Sequence, residues 1–352
     1  MSFIRYNPED SVISSETVVR GLFTSNTGGD SNTLSTFITQ SGYTEYYLDV
    51  YNATVANSGS IQFALQYGNK NGSGSNVINS AAPGKSPSRI VYGEYRNLVY
   101  GTENENFSFD NGATTGSEIF VINFARSRYK ESLLPGSFNL TLAAPSASVT
   151  RSISLVDDST TTNLTRFIGE NEVYYIVSGS NSVPNASLTS SYYGMLFPNL
   201  NIVILNATSG SSTSVLPFIT GSTGGLNYNT SSFTSTNFNH LVLFRAINSG
   251  STSLGGAGTV TGSFTLKSEE TVSSRYFFTR VKNSEFNYTT NPSIIDDNGN
   301  LLFTTLINSP QTYITTVGMY NDNNELLAVA KLSRPLTKDF TKEALIRIKL
   351  DY

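Results

Sequence analysis

The chain has 352 residues, of which 38% are hydrophobic and 14% charged, with a formal net charge of −4, one histidine and no cysteine. That length suffices for a large core without disulfide staples, and the missing cysteines exclude thiol nucleophiles and Cys-ligated metals. The near-balanced charge, spread without blocks of one sign, argues against a phosphate-tracking surface or an acidic tail.

Charged residues usually make up about 25% of a chain, so solubility here rests on amides and hydroxyls. No segment approaches the ~20 consecutive apolar residues of a membrane-spanning helix. The opening "MSFIRYNPEDSVISSETVV" lacks the apolar stretch of a signal peptide. The expectation is a protein made in the cytoplasm that neither takes a signal-peptide export route nor enters a membrane. Residues 1–25 show no long apolar periodicity and read as an extended arm ordered against a neighbour, or as a first strand of the main body.

From Tyr43 onward the pattern is strand and turn. In "GSIQFALQYGNKNGSGSN", Ile61, Phe63, Leu65 and Tyr67 share one face and Gln62 and Gln66 the other, which predicts a half-buried strand followed by an exposed Gly/Asn turn. "SPSRIVYGEYRNLVYG" fits either a strand or a short helix. In "GSEIFVINFARSRYKESLLPGSFNLTL", Ile119 and Val121 mark an inner strand, Arg126 to Leu134 one or two helical turns ended by Pro135 and Gly136, and Phe138, Leu140 and Leu142 a further strand. "NEVYYIVSG", "SYYGMLFPNLNIVILNAT" and "FNHLVLFRAINSG" continue the strand series, with a long polar connection over residues 209–237. Phe264 and Leu266 extend another strand, Lys267 to Ser274 reads as a polar connector, and Arg275 to Lys282 as a strand.

The last residues are the most regular. Tyr313 to Tyr320 and Glu325 to Leu332 predict a hairpin around "NDNN", whose short polar side chains tolerate left-handed backbone. Ala328 and Ala330 on one face and Val329 on the other suit a central strand. Pro335 is expected to end it. "IIDDNGN" reads as a turn with Asn298 and Gly299 at positive φ. In the closing strand Ala344, Ile346, Ile348, Leu350 and Tyr352 take one face, and Arg347, Lys349 and Asp351 the other. The fold expected is mainly β, with antiparallel β-sandwich-like domains and long Ser/Thr/Gly-rich loops. Residues 26–268 form the main β domain, with room for two subdomains, and 269–352 a C-terminal β docking module.

The chemistry of catalysis finds little purchase. His240 is the lone imidazole and no Gly-x-Ser-x-Gly elbow is present, so a Ser–His–Asp triad lacks support. Asp296 and Asp297 before Asn298 and Gly299, like Asp157 and Asp158, read as turns because the spaced ligands of a calcium loop are missing. Glu94, Glu103, Glu105, Asp110 and Glu118 leave a glycosidase pair formally open but sit in no motif. Glycine-rich runs lack the Lys-Ser/Thr and helix of a phosphate loop. The expectation is no enzyme, no cofactor, no metal and no nucleic-acid partner; a scaffold or binding role survives, with a carbohydrate-binding β-domain as the alternative class.

"YYGMLFPNLNIVILNA", "SRYFFTRVKNSEFNYTTNPS" and "YITTVGMYNDNNELLAVAKLSRPLTKDFTKEALIRIKLDY" resemble a family of virion structural proteins from T4-like contractile-tailed phages, many infecting marine cyanobacteria. "MSFIRYNPEDSVISSETVVRG" and "SPSRIVYGEYRNLVYG" resemble the same family, so the likeness spans most of the chain; Met319 stands where many relatives carry Leu. The resemblance implies a late structural component at the baseplate or another tail site, assembled in the host cytoplasm, in contact with other virion proteins and with itself. It carries no catalytic residues over. Capsid or neck decoration, or a fibre-associated adhesin meeting a host glycan, are its alternatives. Combined with the residue pattern, it makes the terminal sheet a docking module whose Lys/Arg face or open edge meets a neighbour, with the N-terminal arm as a second contact. The interface candidates are Arg5, Tyr6, Tyr313, Tyr320, Lys331, Arg334, Arg347, Lys349 and Tyr352. Lys331, Arg347 and Lys349 would discourage premature edge pairing.

Overall fold

Period-two stretches of aromatic and branched residues build most of the regular structure. A computed structural model of the chain describes residues 4–24, 29–34, 38–39, 46–52, 59–72, 74, 86–109, 115–144, 151–161, 165–185, 192–207, 239–247, 262–288 and 291–351. The fold is mainly β, with several antiparallel sheets, one of them curled and open. The chain divides into two compact units, Met1–Thr17 with Thr271–Tyr352, and Val18–Glu270.

The larger unit holds a 13-stranded sheet. Its spatial order is Thr33–Leu34, Ser263–Thr265, Asn139–Ala144, Arg151–Asp157, Asn171–Ser180, Tyr192–Phe197, Ile202–Asn206, Glu118–Phe124, Ile61–Asn69, Leu48–Tyr51 and Ile38–Thr39. Arg166–Ile168 and Val183–Pro184 pair on Asn171–Ser180. The two end strands, Thr33–Leu34 and Ile38–Thr39, lie far apart in this order but almost adjacent in sequence. The four residue steps from Leu34 to Ile38 span at most about 14 Å, so the sheet has to bend round on itself.

Aromatic packing shows the same bend. Ser263–Thr265 and Ile61–Asn69 have six strands between them, which would separate them by roughly 34 Å in a flat sheet. Yet the rings of Phe63 and Phe264 have centroids 5.5 Å apart. Phe23, Phe124 and Phe138 complete this junction around Phe264 at 5.2, 5.8 and 5.7 Å. Residues Leu22 to Thr24 bridge the seam: the Leu22 N–H donates to the Leu266 carbonyl at 3.2 Å, and the Thr24 N–H to Gln62 Oε1 at 2.8 Å.

Two helices cover what the curl leaves. α1, Pro87–Tyr100, starts with proline in its first turn and ends at Gly101 with φ 69°, whose N–H bonds the Asn97 carbonyl. Its buried stripe of Val91, Tyr92, Tyr95 and Val99 packs on Ile119, Val121, Met195 and Ile204. This settles the strand-or-helix alternative for this stretch. α2, Asn239–Ile247, packs on Ile61–Asn69 and on Asn139–Ala144, and so lies within the curl. The sequence predicted a strand there; an uninterrupted apolar run has no period to distinguish the two, and the helix results. Successive residues of Glu118–Phe124 serve opposite clusters, Phe120 and Ile122 inside, Ile119 and Val121 under α1.

Several other predicted elements differ in detail. Arg126 to Leu134 holds a single 3-10 turn, Arg126–Arg128, and a short strand, Ser132–Leu133, paired with Ser268 and Glu269. The predicted connector from Lys267 to Ser274 is part of one 15-residue strand, Lys267–Val281, because its serines and glutamates find ladder partners. Gln62 is fully buried, its amide held by Thr24 and Ser60, so that strand is covered on both sides where half-burial was expected. The connection 209–237 lies outside the described residues.

The strand Lys267–Val281 pairs with Ser11–Gly21, and its part in the smaller unit pairs with Ala344–Asp351, from Ser274 opposite Asp351 to Val281 opposite Ala344. Thr312–Tyr320 and Leu326–Lys338 form a separate two-stranded sheet. Pro335 does not end its strand: the register jumps from Ile314 opposite Leu336 to Thr316 opposite Lys331, and the proline sits in that irregularity, where no ladder N–H is needed.

Candidate assembly interface

The hairpin turn is built by side chains bonding their own backbone. Asn321 Oδ1 accepts from the N–H groups of Asn323 and Glu325 at 3.0 and 2.8 Å, and Asn324 takes a φ of 61°. In "IIDDNGN", Asp296 Oδ1 accepts from the N–H groups of Asn298 and Asn300, and only Gly299 reaches positive φ; Asn298 does not, contrary to expectation. The Asn300 N–H holds the Asp296 carboxyl below its ordinary value.

Opposed residues sort the hairpin into two faces. Val317 with Ala330 and Met319 with Ala328 are half-buried, whereas Thr316 with Lys331 and Gly318 with Val329 are exposed. Leu327 and Val329 are 62% and 59% exposed, and Tyr313 63%. The strand predicted to be central therefore has one partner strand among the described residues. Its apolar character serves a surface.

The smaller unit as a whole repeats this inversion. Its buried apolar side chains are Phe277, Val281 and Ile346. Its exposed ones include Ile13, Ile307, Leu302, Phe303, Phe340 and Leu345, each more than half exposed. Both large apolar clusters belong to the other unit.

The predicted contact residues fall into three groups. Arg5, Tyr313, Tyr320, Lys331 and Arg334 are exposed. Tyr6 is exposed but engaged within the unit, its ring 5.8 Å from Phe277 and its hydroxyl accepting from Arg275 at 3.4 Å. The basic face of the last strand is largely occupied: Arg347 lies 5.5 Å over the Tyr276 ring, and Lys349 pairs with Asp351 at 3.0 Å. Arg280 pairs with Glu343 at 2.7 Å. Tyr352 lies outside the described residues.

Lys338 carries no signal in the sequence that separates it from its neighbours, yet it is completely buried. Its ammonium donates to the Asn283 carbonyl, Asn287 Oδ1 and the Asp339 carbonyl at 2.9, 2.8 and 2.8 Å. Three N–H donors meet three oxygen acceptors, so the buried ammonium is fully hydrogen-bonded. The cation ties the turn after Lys267–Val281 to the end of the hairpin.

Of the residues tested for catalysis, Asp157, Asp158 and Glu118 are held in hydrogen bonds. His240 is buried on α2. Asp157 is buried and its carboxylate accepts from the N–H groups of Gly136 and Phe138 at 2.8 and 3.2 Å. Asp158 accepts from the Tyr175 N–H at 2.9 Å and pairs with Arg166. Glu94, Glu103 and Glu105 are exposed, Glu118 accepts from Asn69 at 2.9 Å, and Asp110 lies outside the described residues. No group of three metal-ligating side chains occurs among the described residues. No family model, curated protein or solved structure matches the chain.

Proposed function

We propose that the chain is a structural subunit of a protein assembly, without catalytic activity, and that its smaller unit is the module by which it docks. The observation that carries this is the inverted apolar distribution: Phe277, Val281 and Ile346 are buried while Leu327, Val329, Tyr313 and Leu345 are exposed. A two-stranded hairpin is marginal alone, and Leu327 and Val329, two positions apart on one strand, expose apolar side chains on the same face of it. The resemblance to contractile-phage virion proteins makes a tail or baseplate the assembly, and other virion proteins the neighbours. In the larger unit, apolar clusters on both faces of the central strands support a sandwich-like body carrying long Ser/Thr/Gly-rich connections.

The test is a paired surface change, Leu327→Glu with Val329→Glu. Both side chains are more than half exposed, so melting should be unchanged while the chain disappears from density-purified particles. Incorporation at the normal copy number would refute the docking role.

A further inference from the structure

The hydrogen bonds of Lys338 leave its charge uncompensated. Its side chain is fully buried, and its three acceptors, the carbonyl oxygens of Asn283 and Asp339 and Oδ1 of Asn287, are all neutral. Among the described residues no carboxylate bonds to it, although a buried charge is ordinarily paired with an opposite one. The Asn287 side chain is fixed in the same place. Its Nδ2 donates to the Asn283 carbonyl at 2.7 Å, the oxygen that also accepts from Lys338. An amine and a carboxamide from positions 51 residues apart in sequence are therefore held against each other on one carbonyl.

We propose that, once the smaller unit has folded, Nζ of Lys338 attacks Cγ of Asn287 and the two side chains join in an intramolecular isopeptide bond. Nζ lies 2.8 Å from Oδ1, and with a C=O length of about 1.2 Å it is within about 4 Å of Cγ. Holding both groups in one folded site makes the step unimolecular. The Nζ–Cγ bond forms and the Cγ–Nδ2 bond breaks. Of the three Nζ protons, one stays on the new amide and two leave with Nδ2 as ammonium, so atoms and charge balance without an oxidant or a cofactor. The reaction carries the buried charge out to water and leaves a neutral amide behind.

The position of the bond suits the unit that holds it. The smaller unit buries few apolar side chains among the described residues, and the chain has no cysteine with which to build a disulfide. Small bodies with little core depend on a covalent or metal staple. The bond fastens the end of Leu326–Lys338 to the turn that follows Lys267–Val281, and it constrains the unfolded chain as a disulfide across the same span would.

Mass spectrometry of the full chain, purified folded and then denatured, reads the bond directly. Once the N-terminus has been assigned, the protein should be about 17 Da lighter than its sequence, the mass of one ammonia. Tryptic digestion should yield a branched peptide that joins Asn287 to Lys338 and is uncleaved after that lysine. Lys338→Met and Asn287→Ala should each restore the sequence mass. The sequence mass in the unaltered protein would overturn the proposal, as would a deficit that persists in Lys338→Met. A deficit that maps to Asn298 before Gly299, where ring closure also expels ammonia, would overturn it as well. Should a variant fail to fold, the presence or absence of the branched peptide in the unaltered chain decides alone.

Discussion

The curl of the large sheet can be tested energetically, because it brings together residues that a flat sheet would hold far apart. Phe63 and Phe264 are both fully buried with centroids 5.5 Å apart at an interplanar angle of 72°, an edge-to-face pair. Truncating either buried ring to alanine should cost about 3–5 kcal/mol. That is a large part of the 5–15 kcal/mol typical of a whole domain, so leucine is the better replacement. Phe63→Leu and Phe264→Leu, measured singly and together by urea unfolding, form a cycle whose coupling isolates the pair. Edge-to-face pairs are worth about 0.5–1.5 kcal/mol beyond area burial. A coupling of that size is the expected result. Residues roughly 34 Å apart, as in an uncurled sheet, would be additive to within about 0.3–0.5 kcal/mol. Additivity, with both single variants destabilised, would refute the curl that brings these two strands together.

In the smaller unit, Lys338→Ala leaves three carbonyl oxygens without their cationic donor and should cost about 3 kcal/mol; hydrogen exchange should show faster opening of residues 283–288 while the larger unit stays protected. Acid should separate the two units. Asp296, Asp339, Glu343 and Asp351 are held below their ordinary values, chiefly by hydrogen bonds from Asn300, Thr341, Arg280 and Ser274. A depressed carboxyl stabilises above its unfolded pKa and loses that contribution as pH falls through the folded one, so the smaller unit weakens below the ordinary values of 3.8 and 4.5. Burial raises Asp49 and Glu269 in the larger unit, which gives the opposite sign there. Melting followed from neutral pH to below pH 4 should show the smaller unit unfolding first, and a single transition with unchanged order would contradict this.

Period two was legible in part: Ile61 and Leu350, on faces read as covered, are exposed, and Gln62, on the opposite face, is buried. Phe138, Leu140 and Leu142 are all fully buried as their alternation requires, and Ala328 and Ala330 part from Val329 as predicted. The turn at Asn321 to Asn324 was legible because its side chains carry their own hydrogen-bonding logic. The misreadings share a cause. The apolar run Leu241–Phe244 in α2 is too short and continuous to show a period that separates helix from strand. Lys267 to Ser274 reads as a connector because the ladder partners of this half of the strand, in Ser132–Leu133 and Ala344–Asp351, lie far away in sequence. Lys338 was invisible for the same reason, since its burial depends on Asn283 and Asn287. Of the candidate interface, the apolar alternation of the hairpin could be read in advance. That its apolar residues face outward could not, because a pattern of faces does not say which face is covered.

That last point bears on how the two units reach stability. In the larger unit the sheet has apolar cover on both faces, Leu22 to Thr24 bridge its seam, and the buried carboxylates of Asp157 and Asp158 have donors. The smaller unit contains well-satisfied polar details, at Lys338, Asp296 and Asn321, yet lacks an apolar interior large enough to offset the entropy of ordering its strands. Polar bonding of that quality fixes a unique shape without supplying much net stability. The combination suits a surface that must be correctly formed before a neighbour arrives and becomes strongly held only afterwards.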